Sequence, residues 1–258
     1  MKKTLFLLYG VVAYVTFLLT FLYAIGFVDN LLVPKSIDGT PQVPLLQAIL
    51  TNAALLMLFA VQHSGMARPA FKRWWTKYVP EPIERSTYVM FSNVVMACMM
   101  IFWQPMGGVV WSIETEWIQV TLIALSLLGF MTVVASTFML NHFDLFGLRQ
   151  VWLNFRGKPY THLSFNTPFL YKYVRHPLYF GFLIAFWSTP LMTITHLLFA
   201  VATTGYILVA IRFEENDLIK HFGEKYVQYR RQVAMIIPFL KKPESAVVPA
   251  MAKDQVEA

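Results

Sequence analysis

Long uncharged apolar runs alternate along this chain with short stretches that carry nearly all of its charge. Four runs, at residues 4–28, 44–62, 87–111 and 117–140, are each long enough for a membrane crossing, which takes about 20 helical residues. A fifth run, 178–211, stays uncharged for 34 residues. As one straight helix it would extend about 51 Å, well past a hydrocarbon core of about 30 Å. As two full spans it is a little short. Pro190, flanked by Ser188, Thr189 and Thr193, predicts a bend between two short helices. The result is a hairpin, either of two tilted spans or dipping in and returning. Beyond it, residues 213–223 read as a helix leaving the membrane and stopped by Gly223. A second short amphipathic segment carries Tyr226, Tyr229, Arg230 and Arg231 and ends near Pro238.

Composition agrees with that pattern. Apolar residues make up 57% of the 258 and charged residues 14%, against about 25% charged in a soluble domain. The expected fold is therefore an all-α integral membrane protein: four spans plus a C-terminal helical hairpin, five to six transmembrane helices in total. Three regions follow: a four-helix part at 1–140, a loop, hairpin and site-bearing region at 141–240, and a disordered polar tail at 241–258. The run at 4–28 follows Lys2 and Lys3 but is too long for a typical signal-peptide core, so it reads as an uncleaved anchor.

Charge sets the orientation. With the runs threaded as spans, only Lys35 of the 21 Lys and Arg residues falls on the side opposite the others. The positive-inside rule then places both termini in the cytosol and requires an even number of crossings. The formal charge of +7 is explained by these flanks and does not call for nucleic acid. Cys98 is the one cysteine, which excludes an intrachain disulfide and a cysteine-based zinc site. The six histidines show no metal-ligand spacing, so no metal is expected. Dinucleotide, P-loop and nucleophile-elbow signatures are missing as well.

The chemistry concentrates at the edges of the fifth run. Arg175-His176-Pro177-Leu178-Tyr179 precedes it and Arg212-Phe213-Glu214-Glu215 follows it. Ionisable groups on both sides of a buried apolar hairpin are costly unless they hold something polar, so they predict a ligand site at the membrane surface. Consecutive helical residues point about 100° apart, so at most one of Glu214 and Glu215 faces inward directly. The stretch from 141 to 175 is too long for an ordinary connection, and its aromatic content predicts order. Within it, His142 and Asp144 could orient one another as a base and its partner; an interfacial contact is the rival reading. The segment at 67–84 is basic and aromatic and reads as interfacial.

The ordered set Tyr171-Lys-Tyr173-Val-Arg175-His176-Pro177-Leu-Tyr179-Phe-Gly181, an apolar hairpin, then Arg212-x-Glu214-Glu215-x-x-Leu218-x-x-x-Phe222-Gly223-x-x-Tyr226-x-x-Tyr229 and Ile237-Pro238, resembles the isoprenylcysteine carboxyl methyltransferases. The phospholipid N-methyltransferases share this pattern. The first four runs, with Asn141-His-Phe-Asp-Leu-Phe-Gly-Leu-Arg-Gln-Val-Trp, are similar to the branch related to the denitrification protein NnrU, and within it to bacterial methanethiol S-methyltransferases.

The resemblance implies S-adenosylmethionine (SAM) at the cytosolic edge of the hairpin, without a Rossmann domain, in a bacterial cytoplasmic membrane. Tyr173, Arg175, His176, Pro177, Tyr179, Glu214 and Glu215 would hold it, with Tyr229 and Arg230 closing over it. The acceptor implied is a small thiol that arrives through the bilayer, methanethiol going to dimethyl sulfide and hydrogen sulfide to methanethiol. His142, paired with Asp144, is the first candidate base; His162 and Arg212 follow. Arg212 matches an arginine important in the carboxyl-methylating branch, although a thiol has no carboxylate for it to bind. Other readings are methylation of a lipid or prenyl acceptor, which predicts an open lipid-facing tunnel, and a sterol-reductase-like NADPH enzyme, for which no basic 2′-phosphate site is evident. A non-enzymatic accessory protein of heme or nitrogen-oxide metabolism is a further one, with His63, His142 and His196 as axial ligands.

Overall fold

The computed structural model describes residues 1–161, 163–238 and 240; His162 and the tail expected at 241–258 lie outside them. Five helices are long and apolar enough to cross a membrane: α1 (Lys2–Asp29), α2 (Leu45–Ala67), α4 (Glu81–Phe102), α5 (Glu116–Leu140) and α9 (Ile194–Phe222). Shorter helices sit between them: α3 (Pro69–Trp75), α6 (His142–Leu145), α7 (Leu148–Phe155), α8 (Pro177–Trp187) and the final α10 (Glu224–Gln232). Large apolar side chains such as Leu5, Leu8, Leu19, Leu22, Leu46 and Leu50 remain exposed along α1 and α2, as expected of faces turned to lipid. Inside the bundle, Trp103 is fully buried and packs edge-on against Phe27 and Phe199.

The third run behaves differently from its hydropathy. Its helix stops at Phe102 rather than continuing to residue 111. Asn52, fully buried on α2, accepts from the Gln104 backbone N–H and donates to the Gln104 carbonyl, each at 2.8 Å. Both backbone groups are thus satisfied outside a helix, and Pro105 follows. A strand β1 (Val109–Ser112) completes the run.

The hairpin bends at the predicted place, but its arms are unequal. The first arm, α8, has 11 residues and is too short to cross alone. An extended segment follows it and includes β2 (Leu191–Thr193), which pairs antiparallel with β1. Backbone polar groups inside a membrane protein need partners within the protein, and β1 supplies them at this break; the Ile113 N–H donates to the Pro190 carbonyl and the Trp111 indole to that of Thr189. The second arm, α9, is one continuous 29-residue helix. It absorbs the segment expected as a separate exit helix and ends at Gly223 in a left-handed φ of 59°.

Close backbone contact locks α8 onto α5. A Cβ on Gly129 would lie 2.6 Å from the Gly181 carbonyl oxygen, and a Cβ on Gly181 the same distance from that of Gly129. Together these contacts bring the starts of α1, α4 and α8 and the ends of α2, α5 and α9 to one pole of the bundle, the pole that carries most of the charge.

Candidate active site

Two ends of the hairpin converge at this basic pole. Tyr171 sits in a 3-10 turn (Phe169–Lys172), after which residues 174–176 run extended to the start of α8. They pair with the chain leaving α10: the Arg175 N–H donates to the Ala234 carbonyl at 2.8 Å and the His176 N–H to that of Met235 at 3.1 Å. Pro177 occupies the first turn of α8, where its missing N–H costs nothing. His176 is therefore delivered beside Glu214 and Glu215 of α9.

The two carboxylates play different parts. Glu215 is buried; its Oε1 accepts from Arg175 Nε at 2.7 Å and lies 3.0 Å from His176 Nε2. Arg175 Nη1 donates to the carbonyls of Arg230 and Val233. This guanidinium braces α9 to the end of α10. Glu214, with its side chain 45% exposed, lies 3.9 Å from His176 Nδ1. Tyr179 donates to its Oε2 at 3.0 Å. The pair splits as helical geometry predicts, one inward and one at the surface.

Aromatic rings close the site. Tyr229 donates to the Tyr171 carbonyl at 2.6 Å, and Phe165 packs edge-on against Tyr226 and Tyr229. Burial raises the Tyr171, Tyr226 and Tyr229 phenols well above the ordinary tyrosine range, so they are hydroxyls at any working pH. Tyr173 and Arg212 are exposed. A half-exposed carboxylate beside aromatic faces fits a sulfonium- and ribose-bearing cofactor: carboxylates accept from ribose hydroxyls, and rings and carboxylates both favour a cation.

The expected base and partner do not form a pair. His142 is buried, stacked on Phe138 at 4.0 Å, with Nε2 2.7 Å from the Tyr14 hydroxyl and Nδ1 2.8 Å from Thr137 Oγ1. Thr137 has already donated its proton to the Val134 carbonyl. His142 must therefore donate from Nδ1 and accept from Tyr14 at Nε2, which leaves no lone pair for a substrate. Burial lowers its pKa, in keeping with this neutral form. Asp144 instead receives Arg149 at 2.8 Å and Tyr160 at 3.2 Å. Residues two apart on a helix do not face each other, and that is the physical reason the sequence pairing fails. Gly147, at φ 87°, lets this corner seat on α4, since a Cβ there would lie 2.7 Å from the Ser86 backbone nitrogen.

The three histidines named as heme ligands do not converge either. His196 lies at the opposite pole, 3.0 Å from the Phe186 carbonyl and 3.6 Å from Asp38. Among the described residues, no group of three or more His, Cys, Asp or Glu could hold a metal.

Sequence reading missed a polar cluster inside the bundle. His63 and Ser64 on α2 meet Tyr88 and Ser92 on α4 and Tyr206 on α9. The uncharged run at 44–62 stops one residue short of His63, and only the helix, which continues to Ala67, carries the histidine into the bundle.

The model of the NnrU protein family matches residues 52–219. A methanethiol S-methyltransferase from Crocosphaera subtropica is 54% identical over 94% of this chain and 95% of its own length. The protein of that name from Mycobacterium tuberculosis is 52% identical over 93% and 98%. Nurim from Rattus norvegicus is 27% identical over 78% of this chain and 76% of its own. No solved structure matches. Matched by the family model over 52–219 and by relatives over nearly its full length, this protein belongs to the NnrU family, together with the methanethiol S-methyltransferases.

Proposed function

We propose that this chain transfers the methyl group of SAM to methanethiol, giving dimethyl sulfide, at the cytosolic face of a bacterial cytoplasmic membrane with both chain ends in the cytosol. The observation that carries the reading is the convergence of His176, Tyr179, Glu214 and Glu215 from the two edges of an otherwise uncharged run. The names of the relatives support the acceptor. When bound, the cofactor supplies an electrophilic methyl on a sulfonium. Glu214 would hold it through its positive charge or its ribose hydroxyls, with Tyr179 fixing the carboxylate by its hydrogen bond. Arg175 and Glu215 hold α10 in place so that Tyr229 and Arg230 cover the site. The apolar arms α8 and α9 keep water out and admit a small apolar thiol from the bilayer.

The deciding test gives purified protein SAM with methanethiol or hydrogen sulfide and measures headspace gas by chromatography. Dimethyl sulfide is expected. SAM binding without methylation of either thiol would sink the acceptor assignment. A heme absorption band with no SAM binding would favour the accessory role instead. Glu214→Gln should weaken SAM binding by calorimetry about 10-fold or more, the cost of losing a hydrogen bond to a charged group.

A further inference from the structure

Three transmembrane helices carry a polar cluster that the cofactor site does not use. Ser64 Oγ meets the Tyr206 hydroxyl at 3.0 Å, and Arg68 pairs with Asp217 at 3.0 Å. These two contacts fix α2 alongside α9, so His63 lies level with Tyr206, eight residues and about 12 Å along the helix from Glu214. Phe59 stacks on His63 at 5.0 Å and meets Tyr206 edge-on at 5.9 Å.

His63 is bonded in a way that contrasts with His142. The Tyr88 hydroxyl sits 3.0 Å from both of its ring nitrogens and 3.3 Å from its backbone carbonyl. A point equidistant from both nitrogens lies off the direction of either lone pair, so Tyr88 satisfies neither well. Ser92 Oγ approaches Nδ1 at 3.3 Å. Tyr88 has one proton for these three acceptors, and given to the His63 carbonyl it leaves Nε2 a lone pair for another donor. The adjacent Gln62 adds a buried Oε1 with no partner. Polar groups inside a transmembrane helix are costly unless they hold something polar.

We propose that this cluster is the acceptor site, with His63 the catalytic base that takes the proton of a small alkyl thiol beneath the Tyr179–Glu214 edge. The inference rests on the methyl-transfer reading above. The thiol S–H gives its proton to His63 Nε2. Its sulfur forms the new bond to the methyl carbon as the donor's sulfonium carbon–sulfur bond breaks, that electron pair staying on the departing thioether. The imidazolium then returns the proton to water. Tyr88 and Tyr206 offer hydroxyls to the thiolate, and Phe59 with Met66 provides an apolar wall for its alkyl group.

The titratable and charged groups around His63 are Tyr88 and Arg85 from α4, with Tyr206 of α9 and Arg68 after α2 acting through Tyr88. None of these arginines is replaced in the test, so a pH effect in His63 variants belongs to the imidazole. His63→Ala should lower turnover with methanethiol about 10²–10⁴-fold, the usual contribution of a positioned base. SAM binding by calorimetry should stay within about twofold of wild type. The deficit should shrink as pH rises toward the thiol's own pKa, because free thiolate then needs no base. Without SAM, methanethiol should shift one imidazole signal in the ¹⁵N spectrum of histidine-labelled protein, and His63→Gln should remove that signal. His63→Gln, which keeps a hydrogen-bonding amide beside Ser92, serves if the alanine variant does not fold. A folded His63 variant turning over at the wild-type rate overturns the inference, as does a deficit constant across pH. Wild-type protein that binds SAM but methylates no thiol would instead overturn the function on which it rests.

Discussion

Two corners of the basic pole each bury a histidine beside the start of a short helix, and they use it in opposite ways. At the α5–α6 corner, His142 sits between two hydroxyls, Tyr14 and Thr137. At the hairpin edge, His176 sits between two carboxylates, 3.0 Å from Glu215 and 3.9 Å from Glu214. Their exposures are 5% and 4%, so burial does not distinguish them. Partner chemistry does. Hydroxyls complete a neutral imidazole and close its hydrogen bonding. Carboxylates create a polar edge beside solvent where a cation and its ribose can dock. The first corner has the bonding of a structural joint, and the second is the site proposed for the cofactor.

The largest effect expected from breaking this contrast is at the hairpin edge. Glu215→Ala leaves Arg175 buried without its carboxylate, a change that typically costs about 3–5 kcal/mol. The α10 segment should lose its anchor, because Arg175 also holds the Arg230 and Val233 carbonyls. Limited proteolysis after residue 222, with loss of SAM binding, would show it. Unchanged protection would mean that the strand pairing of 174–176 with 234–235 holds α10 by itself.

A smaller effect is expected at the other corner. His142→Ala removes two buried hydrogen bonds and the stack on Phe138, at a cost of about 1–3 kcal/mol if a partner is left unsatisfied. Turnover per folded molecule should remain within about twofold of wild type, and thermal melting should drop. A large loss of turnover with normal stability would reverse the contrast and return the base to His142, as the sequence alone suggested.

These two corners also show what sequence patterns can carry. Helical spans, the break at Pro190 and the stop at Gly223 were legible because each depends on neighbouring residues. The hairpin-edge site was legible for a related reason: Arg175-His176 and Glu214-Glu215 flank one uncharged run, and a hairpin must bring its ends together. The His142–Asp144 pairing looked equally local, yet separation by two on a helix turned the side chains apart. What stayed hidden was non-local. Asn52 closes α4 from 52 residues away, β1 supports the broken hairpin arm across 80 residues of chain, and His63 meets Tyr88 and Tyr206 only after three helices pack. No periodicity encodes those meetings.

The smallest expected effect concerns pH and isolates His142. Its ordinary pKa is about 6.5, and burial holds it below that value in the folded protein. Between the folded value and 6.5, the unfolded chain therefore binds more protons than the folded one, and stability rises with pH across that window. Above 6.5 both states carry a neutral ring and the contribution is flat. As pH falls through the window the contribution is lost, because the Nε2 that accepts from Tyr14 must take a proton instead. Melting temperature followed from pH 7.5 down to 5 should decline for the wild type. Subtracting the same profile for His142→Gln removes the other titrating groups and should leave a slope confined below about pH 6.5. If the two profiles run parallel, His142 does not resist protonation, and the closed hydrogen bonding assigned to this corner is wrong.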